Sequence, residues 1–409
     1  MSNKESYFGL PNEVKFCKRC VISNQRPSST VEFKAKLDQV KEVIHFDEEG
    51  ICSACRYHET KEINIDWNQR EETLWKLCDK FRKGDGTYDV IVPGSGGKDS
   101  AYTSHILKYK YGMNPLTVTW APHLYTEIGW KNFQNWMHEG GLDNILYTPN
   151  GKLHRVLTRL AFENLLHPFQ PFIVGQRVIG PTIAAKFGVK LVMYGENQAE
   201  YGNKLDENNI PTMNSNFFSV DNPLDMMLGG LKIHDIIDNY NFKISDFKPY
   251  IPLGKDELLD KGVEVHYLGY YLKWDPQECY YYAVENTGFS ANTERTQGSY
   301  SKYSSIDDKI DPFHYYTTLI KFGIGRATYD AAQEIRNGKI TRDEGINLVK
   351  KFDTEFHDKF YNEFLEYIGL KDIQFNSIID KFRSPNLWTQ DELGNWHLNH
   401  TVDKSGFCD

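Results

Sequence analysis

Long apolar runs, a basic charge balance and low-complexity tracts are all missing from this 409-residue sequence. No apolar segment approaches the ~20 residues that span a bilayer, so no membrane role is expected. The opening residues, Met1-Ser2-Asn3-Lys4-Glu5, lack the apolar stretch of a secretory signal, and a cytoplasmic location is the expectation. Lys and Arg number 47 against 56 Asp and Glu, a formal net charge of −9. Proteins that grip nucleic acid usually carry a basic balance or stripe. The charge therefore argues against that class, while Lys15, Lys18 and Arg19 remain a local cationic cluster. The length allows two or three domains around a substantial core.

Cysteine is sparse. Cys78, Cys279 and Cys408 stand alone, and the other four form Cys17-x-x-Cys20 and Cys52-x-x-Cys55. Paired C-x-x-C units in a reducing compartment read as a metal site more often than as disulfides. Four thiolates can surround Zn²⁺ tetrahedrally at about 2.3 Å, leaving no open position, so a structural and not a catalytic zinc is expected. The 31-residue gap between the pairs leaves room for a small hairpin or loop. Lys18, Arg19 and Arg56 flank the ligands and are expected to offset thiolate charge, with His45 and His58 as spare ligands. A redox pair is the competing reading, but no thioredoxin-like βαβ pattern surrounds either motif.

Two common phosphate-loop patterns are also absent. Val92 stands where G-x-x-x-x-G-K-[ST] needs its first glycine, and Asp99 follows the lysine; Asp99 also fills the last glycine of G-x-G-x-x-G. What is present is Pro93-Gly94-Ser95-Gly96-Gly97-Lys98-Asp99-Ser100, between an apolar run at 88–93 and a helical pattern at 98–109. A strand, a glycine-rich turn and a helix N-terminus form an anion site, because first-turn N–H groups lack intrahelical partners. Gly96 and Gly97 leave room for phosphate oxygens, Ser95 and Ser100 add hydroxyls, and Lys98 adds charge. An acid in such a loop suits Mg²⁺, which assigns that role to Asp99.

Strands are expected at 88–93, 116–120, 144–148, 189–194 and 263–268, and helices at about 98–109, 153–166, 175–187 and 275–287. This alternation predicts an α/β, doubly wound parallel sheet. Ligands in such sheets bind beyond the carboxyl ends of the strands. That places Thr119 near adenine or ribose, and Glu196 and Asn197 at the same rim as ligands for Mg²⁺ or substrate. Glu196 has a second reading as a helix cap or loop stabiliser. The domains are expected at 1–60 (zinc module), 61–300 (nucleotide-binding domain, with an insertion or lid at about 198–250) and 301–409 (helical region). Asp275-Pro276 reads as a helix start, and Thr341-Arg342-Asp343-Glu344 as a capping box. The tail beyond about 383 is expected to be irregular. Tyrosines crowd 267–282 and are read mainly as core.

The Ser-Gly-Gly-x-Asp-Ser segment resembles the PP-loop ATP pyrophosphatases. Together with the paired cysteines, Tyr194–Asn197, Ile320–Ala327 and Glu334–Arg342, taken in this order, it makes the chain resemble the N-acetyl sugar amidotransferases of surface-polysaccharide (lipopolysaccharide) and nonulosonic-acid biosynthesis. The resemblance implies an enzyme that uses ATP to adenylate the oxygen of a sugar N-acetyl group. Ammonia then replaces that oxygen, giving an acetamidino sugar, AMP and pyrophosphate. It implies ATP, Mg²⁺ and Zn²⁺ as cofactors. Lys98, Asp99, Lys321 and Arg326 become the catalytic candidates, with Lys321 and Arg326 closing on phosphate or on acidic groups of the sugar; their second reading is solvated surface cations. It further implies a separate glutaminase and an ammonia-channelling, cyclase-like subunit, since no isolated cysteine sits in a glycine-flanked elbow and Met1-Ser2 offers no N-terminal thiol. The rival readings are a PP-loop tRNA thiolase and a non-catalytic zinc scaffold.

Overall fold

The computed structural model describes residues 5–36, 39–202, 210–220 and 222–405. Cys408 and part of the 198–250 segment lie outside them. Helices α1 (Ser53–Ile63) and α2 (Trp67–Phe81) lead into β1 (Val90–Pro93), α3 (Lys98–Tyr109) and β2 (Pro115–Trp120). There follow α4 (Glu127–His138), β3 (Asp143–Tyr147), α5 (Gly151–Leu165), α6 (Gln170–Phe187), β4 (Leu191–Tyr194), β5 (Glu264–Tyr267) and α7 (Pro276–Thr287). The C-terminal region is helical: α8 (Asp311–Phe322), α9 (Arg326–Arg336), α10 (Arg342–Phe352), α11 (Tyr361–Ile368) and α12 (Asp372–Phe382).

The five strands pair in the order β3-β2-β1-β4-β5, all parallel. The order reverses between β1 and β4, and that reversal makes the crevice in which an open sheet binds ligands. Both faces of the sheet are covered, as a parallel sheet requires. Val90 and Val92 of β1 face one side with Leu74, Ile106 and Leu107. Ile91 faces the other, with Leu116, Val118 and Trp120 of β2 and the apolar side of α5 and α6. Helix α6 lies close on this face because Gly175 has no side chain: a Cβ there would stand 2.2 Å from the Trp120 ring.

Local chemistry sets the helix ends. The Asn150 side chain accepts from Lys152 N at 3.1 Å and caps α5. Asp275 caps α7 with Pro276 at its first position, as the sequence reading expects. Thr341 and Glu344 form the expected reciprocal capping box on α10.

Two expectations need correction. The described part of 198–250 is not a lid. Met213, Phe218, Leu228, Ile233, Ile236, Phe247 and Tyr250 are all buried in the main core. They are spread over irregular chain, short 3-10 turns, the two-residue strand Met227–Leu228 and the short helices Ile233–Tyr240 and Ile244–Phe247, which gives a periodicity reading little to work on. The tail is not wholly irregular either, because Trp388–Gln390 and Trp396–Leu398 pair as a two-stranded antiparallel ladder.

Candidate active site

Strand β1 ends at Pro93, and helix α3 begins at Lys98 after Gly97, which offers no capping side chain. The first-turn N–H groups of α3 are therefore free of a side-chain cap at the crevice. The turn itself needs glycine. Gly96 has φ +84°, and a Cβ there would lie 2.8 Å from Phe133 Cα in α4. The Ser100 hydroxyl donates to Gly97 O at 3.0 Å, bracing the loop from the helix side.

Lys98 folds back on the next residue, its ammonium 2.7 and 2.6 Å from the two oxygens of Asp99. Lys98 is only 8% exposed. Burial alone would lower its pKa, but the charges of Asp99 and then Glu196 outweigh this and hold it above the ordinary value. Glu196 follows β4 across the crevice. Burial, and next the Asp99 charge, push its carboxyl up to about 7, with Lys98 opposing. The structure thus gathers Ser95, Gly97, Lys98, Asp99, Ser100, Glu196 and Arg326 around one cavity of about 680 Å³, within the rough 300–1,000 Å³ range of small-molecule sites. A side chamber of about 180 Å³ extends from the loop between Gly96, Gly97, Asn132, Asp307 and Arg326.

Arg326 opens α9 and lines both spaces. Its Nε is 3.0 Å from Asp330, and its guanidinium lies 4.3 Å from the centre of the Tyr315 ring. Burial opposes its charge, yet Asp330 first among its neighbours holds its pKa above the ordinary value. It is not a solvated surface cation.

Three expected site residues lie elsewhere. Thr119 faces away from the cavity, because side chains alternate along β2: Val118 and Trp120 line the cavity, and the Thr119 hydroxyl accepts from Asn144 on the opposite face at 3.0 Å. Asn197 is buried and caps the 3-10 turn Gln198–Tyr201, accepting from Ala199 N at 3.2 Å. Lys321 is not a cavity residue. His314, Tyr315 and Thr318 of α8 reach the cavity, but one further turn carries Lys321 past it. There its ammonium donates to Leu165 O at 3.0 Å, satisfying a carbonyl left open at the end of α5. Burial, helped by the charge of Lys41, lowers the Lys321 pKa to about 7.

The four paired cysteines converge. Their sulfur atoms all lie within 4.8 Å of one another, and all four residues are buried. Cys17 to Cys55 is 3.9 Å and Cys20 to Cys52 is 3.8 Å. The edge of a tetrahedron with metal–sulfur bonds of about 2.3 Å is about 3.8 Å, so the cluster fits a four-thiolate metal site. Backbone N–H groups of Arg19, Cys20 and Cys52 point at Cys17 Sγ at 3.4 to 3.5 Å, which favours thiolate. His45 and His58 are not in the cluster. Arg19 and Arg56 do not serve the thiols as expected, because they pair with Glu59 and Asp47, each at 2.5 Å. Arg336, half-buried at the end of α9, is a cation within charge range of Cys20, Cys55 and Cys52, and the buried Arg26 is within charge range of Cys52.

The cysteine cluster is no separate module. It shares a hydrophobic core with Phe322, Ile324, Ala331 and Ala332 of the C-terminal region. Arg342 donates from α10 to the carbonyl oxygens of Cys20 and Cys17, each at 3.3 Å. Ile22, Arg26, Ile44 and Ala54 consequently form a wall of the large cavity. Sequence reasoning missed this wall, along with Arg177, Tyr303 and Asp307. The hydroxyl-dense run Ser299-Tyr300-Ser301-Lys302-Tyr303-Ser304-Ser305 is the one sequence signal that points to the last two.

No curated protein matches the chain. A solved structure with similarity is NMN synthetase from Francisella tularensis, 12% identical, covering 75% of this chain and 98% of that chain with a TM-score of 0.30. Residues 297–402, which carry Arg326, Arg336 and Arg342, match the family model described as LPS biosynthesis protein WbpG-like, C-terminal domain, and this fits the lipopolysaccharide-biosynthesis family that the sequence resembles.

Proposed function

We propose that this chain is an ATP-dependent, AMP-forming amidotransferase that turns the N-acetyl group of a sugar into an acetamidino group. The observation that carries the reading is the Ser95–Ser100 loop at the switch point of the sheet, facing a cavity that also admits a second substrate. The acetyl oxygen attacks the α-phosphorus of ATP, the bond to the β-phosphate breaks, and pyrophosphate leaves along the loop. The α3 N–H groups, Lys98 and Arg326 neutralise it there. Ammonia adds to the imidate carbon, AMP departs with the former acetyl oxygen, and a proton is lost. Val118, Trp120 and Ile179 give the cavity an apolar end suited to adenine. Asp99 and Glu196 would hold Mg²⁺, which would supply charge at the departing pyrophosphate. Cys17, Cys20, Cys52 and Cys55 would hold Zn²⁺ as a structural ion. The WbpG-like C-terminal match supports a role in surface-polysaccharide synthesis.

The test is incubation with ATP, Mg²⁺, ammonium and N-acetyl sugars. A product lighter by about 1 Da, oxygen exchanged for NH, with AMP and pyrophosphate in equal amounts, is expected. Absence of ATP–pyrophosphate exchange with every sugar tried would favour the scaffold reading. Binding of tRNA and transfer of sulfur to it would favour the thiolase. That rival needs a reactive thiol, and Cys279 is 2% exposed, with burial and next the Asp99 charge holding its pKa well above the ordinary value.

Nitrogen supply gives a second prediction. Burial pushes the Cys78 thiol up to about 12, and Cys279 is shifted the same way, so neither suits a glutaminase nucleophile. The purified chain should work with high ammonium and fail with glutamine. A glutaminase and an ammonia-channelling subunit should restore glutamine use. Glutamine hydrolysis by the chain alone, blocked by a thiol-directed analogue, would contradict this.

The pH dependence of Mg²⁺ binding follows from Glu196. Its raised pKa means the carboxyl is protonated below about 7 and ionised above it. Without metal, the neutral form suits the folded state, so the stability it contributes is full below its unfolded pKa, about 4.3, and fades as pH rises through about 7. Mg²⁺ affinity has the opposite slope. Thermal-shift titration should show Mg²⁺ with ATP stabilising the protein more at pH 8 than at pH 6, and Glu196→Gln should flatten the difference. An unchanged slope in that variant would remove Glu196 from the metal site.

A further inference from the structure

An amidotransferase that uses free ammonium needs a base, because ammonium is protonated near neutral pH and only ammonia carries a lone pair to attack. The carboxylates of the cavity wall are mostly committed. Asp99 is taken by Lys98 at 2.6 Å, Asp330 by Arg326 at 3.0 Å and Asp275 by Lys339 at 3.2 Å. Glu196 stands within charge range of Lys98 and Asp99 at the loop, where it would hold Mg²⁺. His314 also reaches the cavity, but burial holds its imidazole well below the ordinary pKa, which makes it a weak base. Glu334 is different. It lies in α9 about one helical turn beyond Asp330, half-buried on the cavity wall. Among the described residues no cation pairs with it, and its partners are two tyrosines. The Tyr300 hydroxyl donates to one carboxylate oxygen at 2.7 Å, and the Tyr303 hydroxyl stands 3.5 Å from the other, at the outer limit of a hydrogen bond.

Its position fits the task. Tyr303 lines both the main cavity and the side chamber at Gly96 and Gly97, and the Tyr280 ring stacks on it at 4.4 Å. Through Tyr303, Glu334 adjoins the phosphate-loop end of the cavity. Burial raises its carboxyl above the ordinary pKa; the Tyr300 hydrogen bond opposes this and Asp330 adds to it, so the carboxylate is a stronger base than an exposed one. A carboxylate without a counter-ion, next to a phenol ring and its oxygen, suits a small cation. We propose that Glu334 and Tyr303 form an ammonium subsite, and that Glu334 is the catalytic base that frees ammonia from it. This rests on the amidotransferase reading. Glu334 takes one proton from ammonium, and the freed nitrogen lone pair forms the C–N bond to the imidate carbon. The C–O bond to AMP then breaks, and the surplus proton of the adduct leaves on the AMP phosphate. The product is a protonated amidine, and Glu334 returns its proton to water between turnovers.

Two measurements test this. Crystals of the full chain are soaked with Tl⁺, a cation of ammonium's charge and similar size, and read by anomalous scattering, with Mg²⁺ present to occupy Asp99 and Glu196. A peak in contact with the Glu334 carboxylate and the Tyr303 oxygen is expected, weakened by added ammonium and missing in Glu334→Gln. No peak there in the wild type would overturn the subsite. The second measurement is kinetic and uses the N-acetyl sugar that yields the lighter product. With ammonium at pH 7, Glu334→Gln should lower kcat/KM for the nitrogen donor about 100-fold or more. With hydroxylamine, already unprotonated at that pH, the loss should stay within about fivefold, because no proton has to be removed before attack. Sugar-dependent ATP–pyrophosphate exchange should be unchanged. Glu334→Asp, which keeps the charge, replaces a Gln variant that fails to fold and should show the same split between the two nucleophiles at smaller size. Equal losses with both nucleophiles would overturn the base, and a raised sugar KM in the exchange assay would make Glu334 a sugar ligand instead. Absence of exchange in the wild type with every sugar would strike the adenylation reading, and the Tl⁺ soak would still decide the subsite.

Discussion

Asp99→Asn is expected to leave the fold intact and to lower ATP-dependent turnover by roughly two orders of magnitude or more. The side chain is 37% exposed and follows the loop, so removing its charge disturbs no packed core. The loss is electrostatic and double. The proposed Mg²⁺ site would lose a carboxylate, and Lys98 loses its closest counter-charge, now 2.6 Å away. Without that partner, burial lowers the Lys98 pKa with only Glu196 left to oppose it strongly. A structural role alone would lower the melting temperature; the expected signature is a melting temperature within a few degrees of wild type with kcat collapsed. Near-normal kcat at saturating Mg²⁺ would remove Asp99 from the mechanism.

The sheet and its loop are legible in the sequence because their signals are local. β1 and β4 are short apolar runs, β2, β3 and β5 mix apolar with polar residues, and Gly188 stops α6 with φ +64° where the helical pattern ends. The loop motif needs only the strand before it and the helix after it. Helix α4 escapes the same reading because Gly129 stands in its first turn, where it weakens the helical signal. The structure supplies the reason: a Cβ at 129 would lie 2.4 Å from Asp307 Cα, so the glycine serves a long-range contact. Site residues divide on the same line. Lys98 and Asp99 are placed by their neighbours in sequence. Thr119 and Lys321 are misplaced because strand phase and helix length decide their direction, and neither is fixed by a motif. Arg26 carries no local signal, since what brings it to the cavity is the packing of the cysteine cluster on α9, some 300 residues later.

That packing makes the cysteines the most consequential positions outside the loop. With Zn²⁺ as the ion of the four-thiolate site, Cys17→Ser with Cys20→Ser should release the metal and lower the melting temperature by about 10 °C or more, because the free energy of metal binding is here folding free energy. The damage should not stop at the N-terminal residues. Phe322, Ile324, Ala331 and Ala332 share the core of the four cysteines, and Arg342 holds the carbonyl oxygens of Cys17 and Cys20. Losing the cluster loosens α9, and with it Arg326 at the phosphate loop and Arg336 at the opposite wall. ATP affinity should therefore fall even though no cysteine lines the cavity, and slow chelation of the wild type should reproduce both effects in proportion to zinc released. A cluster that only staples the N-terminus would behave differently, with metal lost and ATP affinity unchanged. Wild-type protein purified with reduced cysteines and no zinc by elemental measurement would dismiss the metal, and the core would then rest on sulfur packing alone.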